Sequence, residues 1–239
     1  FGKAIAELLI SKGHTVIGTG RRQEKLDELQ TQLGDKFIPL NFDVSDLPAT
    51  KTALQTLPTD LRNHIDVLVN NAGLALGLES ADKTDFADWQ QMVNTNILGL
   101  IHLTHEILPF MVANNDGYII NLSSTAGNYP YFGGNVYGAT KAFVTQFSLN
   151  LRADLVGKNI RVSNIEPGLC GGTEFSNIRF HGDDAKAAQV YDSVQYVTPQ
   201  DIANMVAWLI EQPKHVNINR IEVMPTAQTF AGLKVVKDL

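Results

Sequence analysis

The chain has 239 residues, 44% of them hydrophobic, which is enough for a substantial core in one large domain or two small ones. A formal net charge of −6, with only 19 lysines and arginines, argues against the dense basic surface of a nucleic-acid-binding protein. Cys170 is the single cysteine, so these residues cannot form a disulfide among themselves, which fits a reducing compartment such as the cytoplasm.

The first third of the chain alternates between predicted helices and short apolar strands. Apolar residues at Ile5, Leu8 and Leu9 have helical spacing, and Gly13 ends that helix. The predicted elements are a helix at 1–12, a strand at 14–19, a helix at 23–33, a strand at 37–40, a helix at 47–57 and a strand at 65–69.

The same alternation continues to the carboxyl-terminal region. The predicted elements are a helix at 84–113, a strand at 118–122, a helix at 136–155, a strand at 160–165, a helix at 199–212 and a strand at 218–224. About thirty residues at 168–197 are too long for an ordinary connection and are a candidate lid. The most apolar stretch, 97–113, contains histidines, Glu106 and Pro109, so we expect a buried helix and no membrane span.

Strands that alternate with helices along a whole chain predict a mostly parallel sheet with helices on both faces. No internal repeat, linker or low-complexity segment divides the sequence, so we expect a single α/β domain over 1–239. His102, His105 and Glu106 share a helix face, but no further ligands cluster near them in sequence. We therefore expect a helix surface or subunit contact there and no metal site.

The stretch 119–141 carries the clearest chemistry. Tyr137 and Lys141 are four residues apart and therefore share a helix face. Ser124 lies where a strand ends, which is where open α/β sheets bind ligands. Hydride transfer to a carbonyl puts negative charge on its oxygen, so a proton donor and a hydrogen-bond donor must be in place there. We expect Tyr137 to give the proton, Lys141 to favour the phenolate and Ser124 to hold the substrate oxygen.

Three further motifs accompany these residues in a fixed order. They are NNAG at 70–73, N-x-x-G at 96–99 and PG at 167–168. Together with Ser124, Tyr137 and Lys141, they resemble the short-chain dehydrogenase/reductase family over the whole chain. The resemblance implies a Rossmann-type doubly wound sheet, a lysine that also binds the nicotinamide ribose, and Asn96 holding a water that links Lys141 to solvent.

The cofactor is predicted from the end of the first visible strand. An acidic residue there would bind the ribose 2′-hydroxyl of NAD, but this chain has Arg21 and Arg22, which could grip a 2′-phosphate. We therefore expect NADP. The remaining residues that the resemblance assigns to cofactor binding are Gly2, Asp43, Val44, Asn70, Ala72, Gly73, Pro167, Gly168 and Thr173, together with Tyr137 and Lys141.

One departure from the family pattern concerns the glycine-rich loop, T-G-x-x-x-G-x-G, whose backbone amides cradle the cofactor pyrophosphate. Only its last two positions, Phe1 and Gly2, are present. By comparison with the family, the first strand and most of this loop are missing. We expect a gap between the two halves of the sheet, and the sequence to be an incomplete record of the natural protein.

The substrate is predicted from two segments, 129–155 and the start of the lid at 166–184. Both are similar to the subgroup of NADP-dependent 3-hydroxy acid dehydrogenases, which oxidise serine, allo-threonine and 3-hydroxypropionate-type acids or reduce malonic semialdehyde. A small acid needs a cation for its carboxylate, and Arg179 is the nearest candidate on the lid, although it could equally pair with an acid of a neighbouring element.

Two alternatives remain open on the sequence. One is a reductase of 3-oxoacyl thioesters or bulkier ketones, and the other is a catalytically silent NADP-binding regulator. The four residues Asn96, Ser124, Tyr137 and Lys141 argue against a silent protein. The resemblance also implies a homotetramer assembled through the two long helices at 84–113 and 136–155, whose apolar content fits burial on more than one side.

Overall fold

The computed structural model describes residues 1–230, which form a parallel α/β structure with helices around its sheets. The helices are α1 Gly2–Ser11, α2 Gln23–Leu33, α3 Leu47–Thr56, α4 Thr59–Asn63, α5 Phe86–Val93, α6 Leu100–Asn114, α7 Asn135–Asp154, α8 Phe175–Arg179, α9 Asp184–Gln189 and α10 Pro199–Glu211. The strands are β1 Val16–Gly20, β2 Phe37–Asn41, β3 Val67–Asn70, β4 Gly117–Leu122, β5 Ile160–Pro167 and β6 Arg220–Val223.

Several helices begin at side chains that satisfy their free backbone amides. Asp46 accepts a hydrogen bond from the Ala49 amide at 2.9 Å and starts α3. Thr198 and Asp201 form a reciprocal capping box at the start of α10. Asp183 accepts a hydrogen bond from the Lys186 amide at 3.0 Å and starts α9.

The strands of the described residues form two parallel sheets. β1 pairs with β2 in one sheet, and the other has the order β3-β4-β5-β6. β1 and β3 belong to different sheets, as the predicted gap requires. The core nevertheless runs across both sheets, because Leu40 of β2 and Leu68 of β3 belong to one hydrophobic cluster.

An asparagine row crosses the carboxyl end of the larger sheet. Asn70, Asn121 and Asn164 lie in register on β3, β4 and β5. The Asn70 amide donates to Asn121 Oδ1 at 2.8 Å and to Thr104 Oγ1 at 3.0 Å, and all three asparagines are buried. These contacts fix the carboxyl ends of the strands relative to one another, beneath the site described below.

The long predicted helix at 84–113 is interrupted. α5 and α6 are joined by a π-helical segment, Asn94–Gly99. By length and composition alone, residues Phe86–Asn114 could cross a membrane. The core helix of a soluble protein can have the same length and composition. In the fold, Ile107 and Met111 of α6 are fully buried in the cluster beneath the sheet, which is the packing of a core helix.

The candidate lid at 168–197 contains two short helices, α8 and α9, that the sequence patterns did not predict as elements. Its two ends are joined by a parallel bridge between Cys170 and Val197. The lid therefore leaves the sheet after β5 and returns beside its own starting point, next to the carboxyl ends of the strands.

Candidate active site

A cavity of about 540 Å³ opens at the carboxyl ends of β4 and β5, under the lid. Three of the four predicted catalytic residues, Ser124, Tyr137 and Lys141, line it. Ser124 follows β4, while Tyr137 and Lys141 lie on the first turns of α7. The structure therefore brings together the hydroxyl, phenol and ammonium groups that the sequence spacing predicts.

The Ser124 hydroxyl is held by the backbone around it. It accepts a hydrogen bond from the Ala126 amide at 3.1 Å and contacts the Pro167 carbonyl oxygen at 3.2 Å. Ser124 also hydrogen-bonds Tyr137. The two oxygens thus converge on one point of the cavity, where a substrate oxygen can meet both.

Tyr137 is 7% exposed, and its burial raises the pKa of the phenol well above the ordinary value. The hydrogen bond with Ser124 and the positive charge of Arg179 act in the opposite direction and favour the phenolate. The sequence interpretation gave this role to Lys141. In the structure, Lys141 Nζ lies 5.9 Å from the Tyr137 ring centroid, and the groups that lower the pKa include the lid arginine.

Lys141 is 6% exposed, and burial lowers the pKa of its ammonium to about 8. Its Nζ donates to the Leu122 carbonyl oxygen at 2.9 Å, at the end of β4. Gly73 makes the close packing possible, because a Cβ there would lie 3.2 Å from Lys141 Nζ and 3.4 Å from Asn96 Oδ1. Gly73 therefore places the β3 turn directly against Lys141.

Asn96, 1% exposed, lies in the π-helical segment. Its side chain accepts from the Leu74 amide at 2.9 Å, and its Nδ2 donates to the Leu74 carbonyl oxygen at 2.8 Å and to Thr140 Oγ1 at 3.0 Å. Asn96 therefore ties the chain after β3 to α7, one residue before Lys141. These bonds occupy both ends of the amide within the fold.

The predicted arginine pair lies at the turn between β1 and α2, and each arginine faces a carboxylate. Arg21 Nη1 is 3.6 Å from Asp43 Oδ2. Arg22 donates to both carboxylate oxygens of Glu174 at 3.1 and 2.7 Å. Both pairs are solvent-exposed, so these contacts are weak and an incoming phosphate can exchange with them. Because Glu174 lines the cavity, the Arg22–Glu174 pair connects the turn between β1 and α2 with the rim of the cavity.

The other predicted cofactor residues divide into two groups. Gly73, Pro167, Gly168 and Thr173 line the cavity. The remaining ones, Gly2, Asp43, Val44, Asn70 and Ala72, lie outside its lining. A Cβ at Gly2 would lie 3.0 Å from Asn71 Nδ2, and Asn71 is a lining residue. Val44 packs against Gly99, the Asn70 side chain belongs to the asparagine row, and Asp43 accepts from the Ser45 amide at 2.9 Å.

The lid residues Phe175 and Arg179 cover Tyr137. The Phe175 ring lies 5.9 Å from the Tyr137 ring, centroid to centroid. The Arg179 guanidinium lies 5.7 Å from the centroid of Tyr137 and the same distance from that of Tyr131. Its Nε donates to the Gly77 carbonyl oxygen and its Nη2 to the Tyr131 hydroxyl. Thus Arg179, which the sequence left free to pair with an acid, hydrogen-bonds neutral groups beside the phenol.

Sequence reasoning missed three side chains that shape the cavity: Tyr131, Glu174 and Phe175. Each lies within a segment that the sequence analysis singled out, but the neighbouring sequence does not indicate which residue it contacts. The thiol of Cys170 also lines the cavity, and burial raises its pKa to about 12, so it stays protonated and unreactive near neutrality.

Comparisons with known proteins agree with this geometry. Residues 1–183 match a family model described as short chain dehydrogenase. A probable NADP-dependent dehydrogenase of Haemophilus influenzae is 66% identical over 238 residues, covering 100% of this chain and 94% of the relative. The NADP-dependent 3-hydroxy acid dehydrogenase of Escherichia coli (strain K12) is 54% identical over 235 residues, covering 98% of this chain and 94% of that protein.

A solved structure, described as the closed form of serine dehydrogenase complexed with NADP⁺, superposes with a TM-score of 0.97. It is 54% identical to this chain, and the match covers 99% of this chain and 95% of that one. The serine 3-dehydrogenase of Rhizobium radiobacter is 51% identical over 238 residues, covering 100% of this chain and 94% of the relative. With its site geometry and its match to the family model, the chain belongs to the short-chain dehydrogenase family.

Proposed function

We propose that this protein is an NADP-dependent dehydrogenase that transfers a hydride between the nicotinamide and a small 3-hydroxy acid or the matching 3-oxo acid. The observation that carries the proposal is the position of Arg179. Its guanidinium lies 5.7 Å from the Tyr137 ring centroid, inside the same cavity as Ser124 and Lys141. A molecule that places its hydroxyl at Tyr137 can therefore place a nearby carboxylate at Arg179.

When bound, NADP⁺ would accept the hydride in the oxidative direction, and NADPH would supply it in the reverse direction. In oxidation, Tyr137 takes the hydroxyl proton of the substrate at its phenolic oxygen, and in reduction it returns the proton. Ser124 holds the same substrate oxygen by a hydrogen bond and so stabilises the negative charge that develops there. Lys141, next to Gly73 and Asn96, would hold the ribose of the nicotinamide and relay protons between the tyrosine and solvent.

The described residues fit NADP at both ends of the site. The close approach of Gly73 to Lys141 leaves the β3 turn free of a side chain where the cofactor would pass. Pro167, Gly168 and Thr173 present backbone and a hydroxyl to the cavity, which suits a carboxamide. At the other end, Arg21 and Arg22 would hold the 2′-phosphate in place of their exposed carboxylate partners. The relatives named above as NADP-dependent support the same choice.

The short distance between Tyr137 and Arg179 favours substrates of this class. Serine, allo-threonine and 3-hydroxypropionate each carry a carboxylate two bonds from the carbon that bears the hydroxyl, so one small molecule can reach both Tyr137 and Arg179. The Escherichia coli and Rhizobium radiobacter relatives, named for 3-hydroxy acids and for serine, support the same class.

We also propose that the protein acts in the cytoplasm as a homotetramer. Leu98 and Val112 remain exposed on the long helical stretch, and Phe143 on α7 is exposed while its ring stacks on Phe147. An apolar surface on the two longest helical stretches is the surface that a second copy would cover.

Arg179→Met tests the substrate assignment. Replacing the guanidinium with an apolar chain should raise KM for 3-hydroxypropionate at least about tenfold, because a charged hydrogen-bonding partner of the carboxylate is lost. KM for the uncharged methyl 3-hydroxypropionate should stay within about twofold of the wild-type value. Lys186→Met, which removes an exposed cation of the same lid, is the matched control. An equal change in KM for both substrates in Arg179→Met would refute the assignment.

A substrate panel separates this proposal from the alternative reductase. We expect NADP⁺ reduction with L-serine, L-allo-threonine or 3-hydroxypropionate. NADPH consumption with a 3-oxoacyl thioester alone would overturn the proposal, and so would no turnover with any of these compounds.

A further inference from the structure

Tyr131 contacts Arg179 in two ways. Its hydroxyl accepts a hydrogen bond from Arg179 Nη2 at 2.9 Å, and its ring centroid lies 5.7 Å from the guanidinium carbon. The same guanidinium carbon lies 5.7 Å from the Tyr137 ring. Arg179 is therefore held between the proton-transferring tyrosine and a second tyrosine six residues earlier in the chain.

Arg179 is anchored on its other side by the loop after β3. Its Nε donates to the Gly77 carbonyl oxygen at 3.2 Å, and the Gly77 amide donates to the Arg179 carbonyl oxygen at 2.9 Å. Both the side chain and the backbone of Arg179 are thus hydrogen-bonded to Gly77. Within residues 1–230, the hydrogen bonds of the guanidinium use Nε and Nη2, so its Nη1 edge can receive an anion.

Tyr131 is itself fixed by the turn that leads into α7. The Gly134 amide donates to the Tyr131 carbonyl oxygen at 3.0 Å, which closes the turn. A Cβ at Gly134 would lie 2.8 Å from the Tyr131 ring, so the ring lies flat on a backbone without a side chain. The position of the Tyr131 hydroxyl is therefore set by the same backbone that begins the catalytic helix.

These contacts matter because a free arginine samples many rotamers, and ordering it on ligand binding costs free energy. A guanidinium that is already held in place binds a carboxylate without that cost. A neutral alcohol does not bind the guanidinium, so its affinity does not depend on whether Arg179 is ordered.

We propose that Tyr131 is the residue that positions Arg179 for carboxylate recognition and so sets the preference of the enzyme for acids over neutral alcohols. The inference rests on the proposed function, in which Arg179 binds the substrate carboxylate. Tyr131 acts through Arg179 and does not itself bind the reacting atoms.

Tyr131→Phe tests the inference because it removes one oxygen and keeps the ring on Gly134. We expect KM for 3-hydroxypropionate to rise about fivefold to tenfold, because binding must then order the released Arg179 side chain, while kcat stays within about twofold. KM for methyl 3-hydroxypropionate should not change. Tyr129→Phe is the matched control, since Tyr129 lines the same cavity but donates its hydroxyl to Glu222 at 3.1 Å. It should leave both KM values unchanged.

The double variant Tyr131→Phe/Arg179→Met shows whether the tyrosine acts through the arginine. Its KM for 3-hydroxypropionate should equal that of Arg179→Met alone. A further increase would mean that the Tyr131 hydroxyl contacts substrate directly, which overturns the inference and leaves the proposed function intact. An unchanged KM in Tyr131→Phe, or an equal rise for acid and ester, also overturns it. If Arg179→Met itself affects both substrates equally, the proposed function fails as well.

Discussion

Glu166 offers the sharpest test of how the site is held together. It is the penultimate residue of β5, has no exposed surface, and forms an ion pair with Arg220. Arg220 Nε donates to Oε1 at 2.8 Å and Nη2 to Oε2 at 2.7 Å. Asn164 Nδ2 donates to Oε1 at 2.6 Å, and Asn128 Nδ2 to Oε2 at 2.7 Å. Thr145 Oγ1 also donates to Oε1 at 3.3 Å, so Oε1 receives three donors and Oε2 receives two.

Glu166→Gln changes one of these oxygens to an NH2 group that faces at least two donors in either orientation. At least two hydrogen bonds to a charged group are lost, each contributing about 1.5–3 kcal/mol. The Arg220 side chain is 42% exposed and can regain water, so we expect a net loss of about 2–4 kcal/mol in the free energy of unfolding. For a domain of this size, that lowers Tm by roughly 5–12 °C.

The assay is thermal unfolding followed by circular dichroism, with Glu222→Gln as the matched control. Glu222 is exposed and accepts from Tyr129 and Asn128 at 3.1 and 2.9 Å, so its loss should cost at most about 1 kcal/mol. Glu166→Gln melting within about 2 °C of the wild type would refute the reasoning. An equal decrease for both variants would also refute it, because burial would then not distinguish the two carboxylates.

Two further predictions concern the cofactor arginine and the catalytic lysine. Glu174→Gln removes the carboxylate that competes for Arg22, so the Kd for NADP⁺ measured by calorimetry should fall about twofold to fivefold. Weaker binding would instead show that Glu174 helps to hold the cofactor. Burial lowers the pKa of Lys141 to about 8 from 10.5, so between these values the unfolded chain binds a proton that the folded chain has lost. The free energy of unfolding of the NADP-free protein should therefore rise between about pH 8 and pH 10, and Lys141→Met should abolish that rise; parallel curves for the two proteins would contradict the prediction.

The order of helices and strands could be predicted because it depends on local periodicity. The predicted strand at 118–122 and the observed β4, Gly117–Leu122, differ by one residue. α4 was missed because five residues are too few for a periodic pattern, and α8 and α9 were missed for the same reason. Short helices of this kind are held by tertiary contacts, which no local window contains.

The π-helical segment between α5 and α6 has a different cause. Its position coincides with Asn96, whose side chain bonds both the amide and the carbonyl of Leu74, 22 residues earlier. The sequence motif identified Asn96 as functional but predicted a continuous helix there. A helix that must present an amide to a distant backbone segment adopts a local irregularity, and these irregularities are frequent at functional sites.

The lid shows why the rest of the site required the structure. Glu174 meets Arg22 from 152 residues away, and Arg179 meets Gly77 and Tyr131 from 102 and 48 residues away. Two lining residues that lie five apart on the lid therefore contact different parts of the fold. One meets the arginine proposed for the cofactor phosphate, and the other is the arginine proposed for the substrate carboxylate. Because one short segment carries both contacts, a displacement of this segment would release Arg22 from Glu174 and Arg179 from Tyr131 at once.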